Sequence, residues 1–333
     1  MYESFFHLKE KPFNLTPDPR FIYFTEKHCE ALANLVYGIR ERKGFIVLTG
    51  EVGTGKTTLV NALLDTLGRT GVLSAFIFNP VLSSNEFFEY LLTDLNLKFD
   101  YRSKSQALIK LNSLLLERYR AGQVTVLVVD EAQNLSAEVL EEVRLLTNLE
   151  TATEKLLQIV LVGQPELTMK LNSPDLRQLK QRIGLRCSLE PLTPLECKEY
   201  IRTRMEIAGL PNQQVFLEPT IAEVYRYSAG IPRLINAICD NALVNGYASD
   251  SSTISAQVIQ EVCNDLELYG TVRGLERNGR ISPYRDRVES GNGDPDKAAP
   301  SGKGGVNAGY ERESFDLFVQ FVDKLRELRK PKE

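Results

Sequence analysis

The sequence predicts an α/β fold: a parallel β-sheet covered by helices on both faces, then a small all-helical domain and a flexible C-terminal tail. Three observations carry this reading. Up to about residue 190, near-continuously apolar runs of strand length alternate with patterns of helical period. Beyond Pro191 no strong strand follows, and apolar residues recur at helical spacing only. From residue 269 the chain becomes rich in Gly, Asn, Asp, Arg and Ser and poor in apolar residues.

The elements follow in order. Phe45-Ile46-Val47-Leu48-Thr49 reads as a buried strand, and a helix starts at Lys56-Thr57-Thr58-Leu59 and runs through Leu63-Leu64. Residues 72–78 form a second strand, ended by Asn79-Pro80. Ser83-Ser84-Asn85-Glu86 is a start signal for a helix with Phe87, Phe88, Leu91, Leu92 and Leu95 on its apolar face. A long helix covers 104–119, closed by Ala121-Gly122, and the third strand covers 124–129. Ser136 opens a helix carrying Val139, Leu140, Val143, Leu146 and Leu149. A fourth strand covers 157–162, stopped at Gly163-Gln164-Pro165, and a fifth covers 185–189. Strands this uniformly apolar suit a sheet whose two faces are both covered. Helical patterns over 196–208, 218–228, 232–246 and 255–266 form the second domain. The expected division is an N-terminal segment at 1–30, an α/β domain at 31–190, a helical domain at 191–268, a disordered linker at 269–313 and an amphipathic helix at 314–330. That last helix carries Phe315, Phe318, Phe321, Val322, Leu325 and Leu328 on one face, which needs a partner or the protein's own body to cover it.

Composition narrows the function classes. The formal charge of −4 over 333 residues gives no global basic field, which disfavours nucleic-acid binding while leaving room for local patches such as Arg40-Glu41-Arg42-Lys43. No apolar run approaches the ~18 residues that a membrane-spanning helix needs. Met1-Tyr2-Glu3-Ser4-Phe5-Phe6 lacks the basic-then-apolar pattern of a signal peptide, so a cytoplasmic location is expected. The 5 cysteines are scattered and the chain has 2 histidines, which argues for reduced thiols and against a structural zinc site.

The chemistry lies in a paired signature. Gly50-Glu51-Val52-Gly53-Thr54-Gly55-Lys56-Thr57, followed by Thr58, matches the phosphate-cradling loop G-x-x-x-x-G-K-[ST] between a strand and a helix. Its glycines let backbone N–H groups curl around phosphate oxygens, and the helix N-terminus faces the same anion. Lys56 reaches the outer phosphates, and the Thr57 hydroxyl is a Mg²⁺ ligand. Downstream, Val126-Leu127-Val128-Val129 delivers Asp130 and Glu131 to a strand end. There Asp130 can hold Mg²⁺ through water while Glu131 polarises an attacking water as general base. The pair therefore predicts a nucleoside triphosphate with Mg²⁺, and its hydrolysis. Gln164, at the end of the fourth strand, either touches the γ-phosphate or lytic water or is a turn residue. Arg177, Arg182 and Arg186 are either a solvated charge run or, in an oligomer, a source of a trans-acting cation. Arg233 opens a helix of the second domain and could contact the nucleotide, or be an ordinary surface arginine.

These motifs resemble the AAA+ ATPases, in the group typified by the ATPase component A of bacterial general (type II) secretion, which includes ATPases linked to exopolysaccharide and exosortase loci. The resemblance covers roughly residues 1–268. It is carried by Pro12-Phe13-Asn14-Leu15-Thr16-Pro17-Asp18-Pro19-Arg20-Phe21, the phosphate loop, Asp130-Glu131-Ala132-Gln133-Asn134-Leu135-Ser136, Gly163-Gln164-Pro165-Glu166-Leu167, Gln178-Leu179-Lys180-Gln181-Arg182-Ile183 and Gly230-Ile231-Pro232-Arg233-Leu234-Ile235-Asn236. It implies a helical lid, Asp130 as the metal carboxylate, Glu131 as water activator, Gln164 at sensor 1, Arg182 as arginine finger and Arg233 at sensor 2. It further implies that the segment with Phe21, Tyr23 and His28 lies over the nucleotide base, although His28 also reads as a helix-surface histidine. The implied assembly is a homo-oligomeric ring or filament serving a membrane-associated protein machine, with residues 314–330 as a docking element. Members of the group usually continue into a transmembrane and a peptidoglycan-binding region, and neither pattern is present here. The same core resembles transposition ATPases, so DNA is an alternative partner, and a low-turnover ATP-dependent switch or scaffold is another alternative.

Overall fold

The computed structural model describes residues 1–268 except 16–18, 22, 79, 98–103 and 211–214. The expected linker at 269–313 and helix at 314–330 lie outside the described residues. In chain order the elements are α1 (Tyr2–Phe5), α2 (Glu26–Arg40), β1 (Phe45–Gly50), α3 (Lys56–Gly68), β2 (Leu73–Ile77), α4 (Ser84–Asp94), α5 (Lys104–Arg120), β3 (Thr125–Val129), α6 (Ala137–Leu146), β4 (Leu157–Gly163), α7 (Pro165–Leu171), α8 (Arg177–Lys180), β5 (Ile183–Leu189), α9 (Pro194–Ile207), α10 (Glu218–Ser228), α11 (Pro232–Ala248) and α12 (Ala256–Asp265).

The five strands form one parallel sheet in the order β2-β3-β4-β1-β5. Both faces are covered, as continuous apolar strands require. Phe45, Val47, Leu127, Val129, Ile159 and Leu161 join Phe87, Phe88, Leu91 and Leu92 of α4 and Val139, Leu140 and Val143 of α6 in one core. The alternate strand residues Ile46, Leu48, Val126, Val128, Val160 and Val162 point to the opposite face and are equally buried. Register aligns the strand ends: Thr49 pairs with Gly163, and Val129 with Leu161. The loop after β1, Asp130 after β3 and Gln164 after β4 therefore emerge along one edge of the sheet.

Local sequence sets the helix starts. Thr25, Ser136 and Ser255 each accept a hydrogen bond from a backbone N–H in the first turn of α2, α6 and α12. Ser83 with Glu86 and Thr193 with Glu196 form complete capping boxes at α4 and α9.

The helices after β5 pack around a second core that includes Cys197, Ile201, Val224, Ile238, Leu243 and Ile259. Tyr2, Phe6, Leu8, Phe13 and Phe21 from the N-terminal segment are buried in that same core. Two hydrogen bonds tie them down: Lys9 N–H donates to the Ala208 carbonyl at 2.8 Å, and the Tyr2 hydroxyl to Asp240 Oδ1 at 2.5 Å. The first residues of the chain and the helices after β5 thus share one core.

Three details differ from the sequence reading. β5 starts at Ile183, two residues earlier than the expected 185, with a register shift opposite Phe45 and Ile46. Gly184 hides that start, because an exposed glycine breaks the apolar run on an edge strand; a Cβ there would lie 2.7 Å from the Lys43 carbonyl oxygen. Gly163-Gln164-Pro165 is not only a stop: Gln164 is the N-cap of α7, with Pro165 in its first turn. The short helix α8 lies within the arginine-containing stretch read only as charge.

Candidate active site

The strand-to-helix turn after β1 is built as its glycines require. Gly53 and Gly55 have φ of +82° and +98°, in the left-handed region that side chains disfavour. A Cβ on Gly53 would also lie 2.7 Å from the Arg233 Cβ. Lys56 is buried and donates to the Gly50 and Glu51 carbonyls at 2.9 Å each, so its ammonium lies inside the curl of the loop. Burial lowers its pKa from the ordinary lysine value, while the nearby Glu131 and Asp130 charges oppose that shift.

Asp130 is buried at the end of β3, where its own N–H donates to the Ile77 carbonyl of β2 at 2.9 Å. Its Oδ2 accepts the Thr57 hydroxyl at 2.8 Å and its Oδ1 accepts the Glu131 N–H at 2.9 Å. Glu131 has φ of +52°, an uncommon left-handed conformation for a residue with a side chain. Two amides hold its Oε2: Gln133 Nε2 donates at 2.5 Å and Gln164 Nε2 at 3.1 Å. Gln133 Oε1 in turn accepts the Gln164 N–H at 3.1 Å. Gln164 thus reaches the predicted general base directly, and Gln133 is a second support that the sequence pattern did not single out.

The loop opens into a cavity of about 470 Å³ lined in part by Gly53, Thr54, Gly55, Lys56, Thr57, Thr58, Glu131 and Val52. Phe21, Tyr23, His28 and Arg233 line it as well, so the predicted residues from the N-terminal segment and from α11 meet the loop. His28 is buried, with Nε2 at 3.1 Å from the Thr54 carbonyl and Nδ1 at 2.8 Å from the Thr25 hydroxyl. A carbonyl only accepts, so Nε2 carries the proton and Nδ1 receives the Thr25 hydroxyl. Burial lowers the His28 pKa, with the Thr54 carbonyl and the Glu196 charge opposing it. The Arg233 N–H donates to the Gly53 carbonyl at 3.3 Å, which brings the first turn of α11 onto the loop.

The chain between sheet and helices is fastened to the start of α11. Leu192 N–H donates to the Gly230 carbonyl at 2.8 Å, and a Cβ on Gly230 (φ +75°) would lie 2.0 Å from the Leu192 carbonyl oxygen.

The arginines of the α8–β5 region stand apart from this cavity. Arg182 donates to the Thr147 hydroxyl at 3.1 Å, and Arg177 and Arg186 are exposed. Conversely, Tyr200, Arg204 and Asn236 line the cavity without having been expected there. Arg204 Nε donates to the Pro12 carbonyl at 2.5 Å and Nη1 to the Tyr200 hydroxyl at 2.9 Å, and the Tyr200 hydroxyl donates to Asn236 Oδ1 at 2.8 Å. Burial raises the Tyr200 phenol pKa, against the neighbouring Arg204 charge. The one sequence signal for them is spacing: Tyr200 and Arg204 are a helical turn apart, as are Arg233 and Asn236.

Comparison with known proteins agrees with this geometry. A family model described as an AAA domain matches residues 39–171. "General secretion pathway protein A" of Aeromonas hydrophila is 46% identical over 255 residues, spanning 76% of this chain. The chain spans 46% of the length of that relative. Among solved structures, Drosophila ORC bound to DNA has a TM-score of 0.61 at 19% identity, covering 84% of this chain and 69% of that one. Cdc6p from Pyrobaculum aerophilum has a TM-score of 0.56 at 17% identity, covering 79% and 70%. These two likenesses concern the fold alone. An AAA+ domain is in general a module for ATP with Mg²⁺. Sheet, loop and the two matches together place an AAA domain at residues 39–171 and make the chain a relative of "General secretion pathway protein A" over 255 residues.

Proposed function

We propose that this chain binds Mg²⁺-ATP in the cavity above the sheet, hydrolyses it as an oligomer, and uses the cycle in assembly or regulation of a bacterial secretion or exopolysaccharide-export system. The observation that carries the chemical part is the contact of Thr57 with Asp130 beside a half-buried Glu131. The donor set fits the ligands: a left-handed glycine cradle and a buried ammonium for phosphates, and a hydroxyl–carboxylate pair of oxygens for a hard cation. When bound, Mg²⁺ neutralises charge on the transferring phosphoryl group.

The chain's own residues divide the remaining work. Loop N–H groups and Lys56 orient the phosphates, while Thr57 and Asp130 hold the cation. Glu131 accepts the proton of the lytic water, with its carboxylate aimed by Gln164 and Gln133. Arg233 reports the state of the phosphate end to the helical domain. His28, Phe21 and Tyr23 serve the loop and the nucleoside side. Arg182 lies outside its own cavity, which supports a role toward a neighbour's nucleotide in a ring or filament.

The role in secretion is supported by the relative's name and the matched span. We assign 31–190 to nucleotide chemistry, 191–268 to a lid and 314–330 to docking on a cytoplasmic-side protein partner. Among the described residues no helix is long and apolar enough to cross a membrane.

Phosphate release from ATP by the purified chain, with and without Mg²⁺, tests the chemistry. A chain that binds no nucleotide would overturn it. Export in a host whose own copy carries Lys56→Ala tests the cellular role. Unaltered export there would remove the pathway assignment and leave the ATPase reading standing.

A further inference from the structure

Arg204 is 7% exposed and lies on α9, yet it lines the cavity. A buried guanidinium is costly unless its donors are engaged. Among the described residues its hydrogen bonds go to two neutral groups, the Pro12 carbonyl and the Tyr200 hydroxyl. Its Cζ also stands 5.0 Å from the Phe21 ring centre and 5.4 Å from that of Tyr200. The Tyr23 ring meets Tyr200 edge-on at 5.9 Å. Arg204 is thus a clamp between an N-terminal segment and a helix some 190 residues downstream, with |i−j| of 192 for its bond to Pro12. Tyr200 continues the clamp to Asn236 on α11, one turn beyond Arg233.

We propose that Arg204 is a positioning residue for the nucleoside end of the ligand: by pinning Pro12 and Phe21 against α9 it preorganises an aromatic wall for a planar base, without acting on the phosphates. This rests on the ATPase reading above. The phosphate end is served by Lys56, Thr57 and the loop, which make no hydrogen bond to this clamp among the described residues. An ordered wall binds a rigid ring system without first having to immobilise a mobile strap. Lysine at this position keeps a charge but loses the planar fork that reaches two acceptors at once.

The test uses the full chain. In R204K, KM for ATP rises roughly 10-fold, the scale of losing one charge-assisted hydrogen bond. Its kcat at saturation stays within about twofold of wild type, as loss of uniform binding requires. Inorganic tripolyphosphate, which has phosphates and no base, inhibits variant and wild type with the same constant. A parallel weakening of ATP and tripolyphosphate, an unchanged KM, or a fall in kcat alone overturns the proposal. Should R204K fail to fold, as judged by its melting curve, Tyr200→Phe is read against the same three outcomes, since it keeps the ring and removes the hydroxyl that anchors Arg204. Absence of any ATP turnover by wild type would instead strike the underlying ATPase reading, whereas an active wild type with an unaffected R204K strikes only the clamp.

Discussion

The Thr57 hydroxyl donates to Asp130 Oδ2 across 2.8 Å, joining the first turn of α3 to the end of β3. These residues are 73 positions apart in sequence, and the contact exists because β3 reaches the same edge of the sheet as β1 with β4 between them. Each oxygen is a hard ligand, so the proposed cation site consists of residues that also hold each other in place. Thr57→Ser keeps the hydroxyl and should retain Mg²⁺-dependent hydrolysis. Thr57→Ala is expected to cost about 1 kcal/mol of stability from the lost hydrogen bond, and to raise the Mg²⁺ concentration needed for half-maximal hydrolysis. A metal titration of both variants checks this; identical midpoints would remove Thr57 from the cation site.

Glu131→Gln keeps the shape of the side chain and removes its capacity to take a proton. The variant should bind ATP as wild type does and hydrolyse it roughly 10²–10⁴-fold more slowly, the usual contribution of a positioned base. Single-turnover phosphate release with filter-binding in parallel separates the two effects. Turnover near wild type would exclude Glu131 as the base.

His28 predicts a pH dependence with a definite sign. Its folded-state pKa lies below the ordinary value of 6.5 because the charged ring is disfavoured by burial. The unfolded chain therefore takes up the proton first, so this contribution to stability is fully present above about pH 6.5 and is lost as pH falls through the lower folded value. Charging also requires Nδ1–H, which removes the acceptor that the Thr25 hydroxyl now uses. Thermal melts from pH 8 to 5 should show a destabilisation on acidification that is smaller in His28→Gln. An equal slope in both proteins would exclude His28 as the source.

Arg182→Ala should leave nucleotide binding intact and lower hydrolysis roughly 10³-fold or more, if it serves a neighbour as a trans-acting cation does. The companion expectation is that wild-type turnover per protomer rises with protein concentration. A rate independent of concentration, in a chain that stays monomeric with ATP, would remove Arg182 from the mechanism.

Gly53→Ala meets two obstacles at once: φ of +82°, and a Cβ 2.7 Å from that of Arg233. The left-handed backbone alone costs of order 1 kcal/mol. The variant should melt earlier and lose nucleotide affinity, measured by calorimetric titration; wild-type values for both would mean that the loop relaxes freely.

Much of this was legible in the sequence because the relevant signals are local. Val126 to Val129 is the continuous apolar run of a strand covered on both faces, and it delivers Asp130 at its end. Ser83 with Glu86 announced α4, and the glycines of the phosphate loop announced their own curvature. What escaped depends on contacts between distant segments. Gln133 supports Glu131 only because the chain after Asp130 turns left-handed, which no propensity marks. Arg204 reads as an ordinary helix-surface cation until Pro12 arrives from the other end of the chain. Gln164 had two readings from sequence, turn residue and site residue, and it is the N-cap of α7 while bonding Glu131. Whether Arg182 serves a neighbour is a property of an assembly, not of one chain's pattern.

The splice between Leu192 and Gly230 carries a mechanical consequence. The polypeptide leaving β5 and the polypeptide entering α11 are laid side by side and bonded, with no room for even a methyl group between them. A torque on the helical layer is therefore delivered to the exit of the sheet and to the Arg233–Gly53 contact together, as through a keyed shaft. A swing of the helices about this joint would have to drag the exit of β5 or part Arg233 from Gly53, so any such movement would be felt at the phosphate loop.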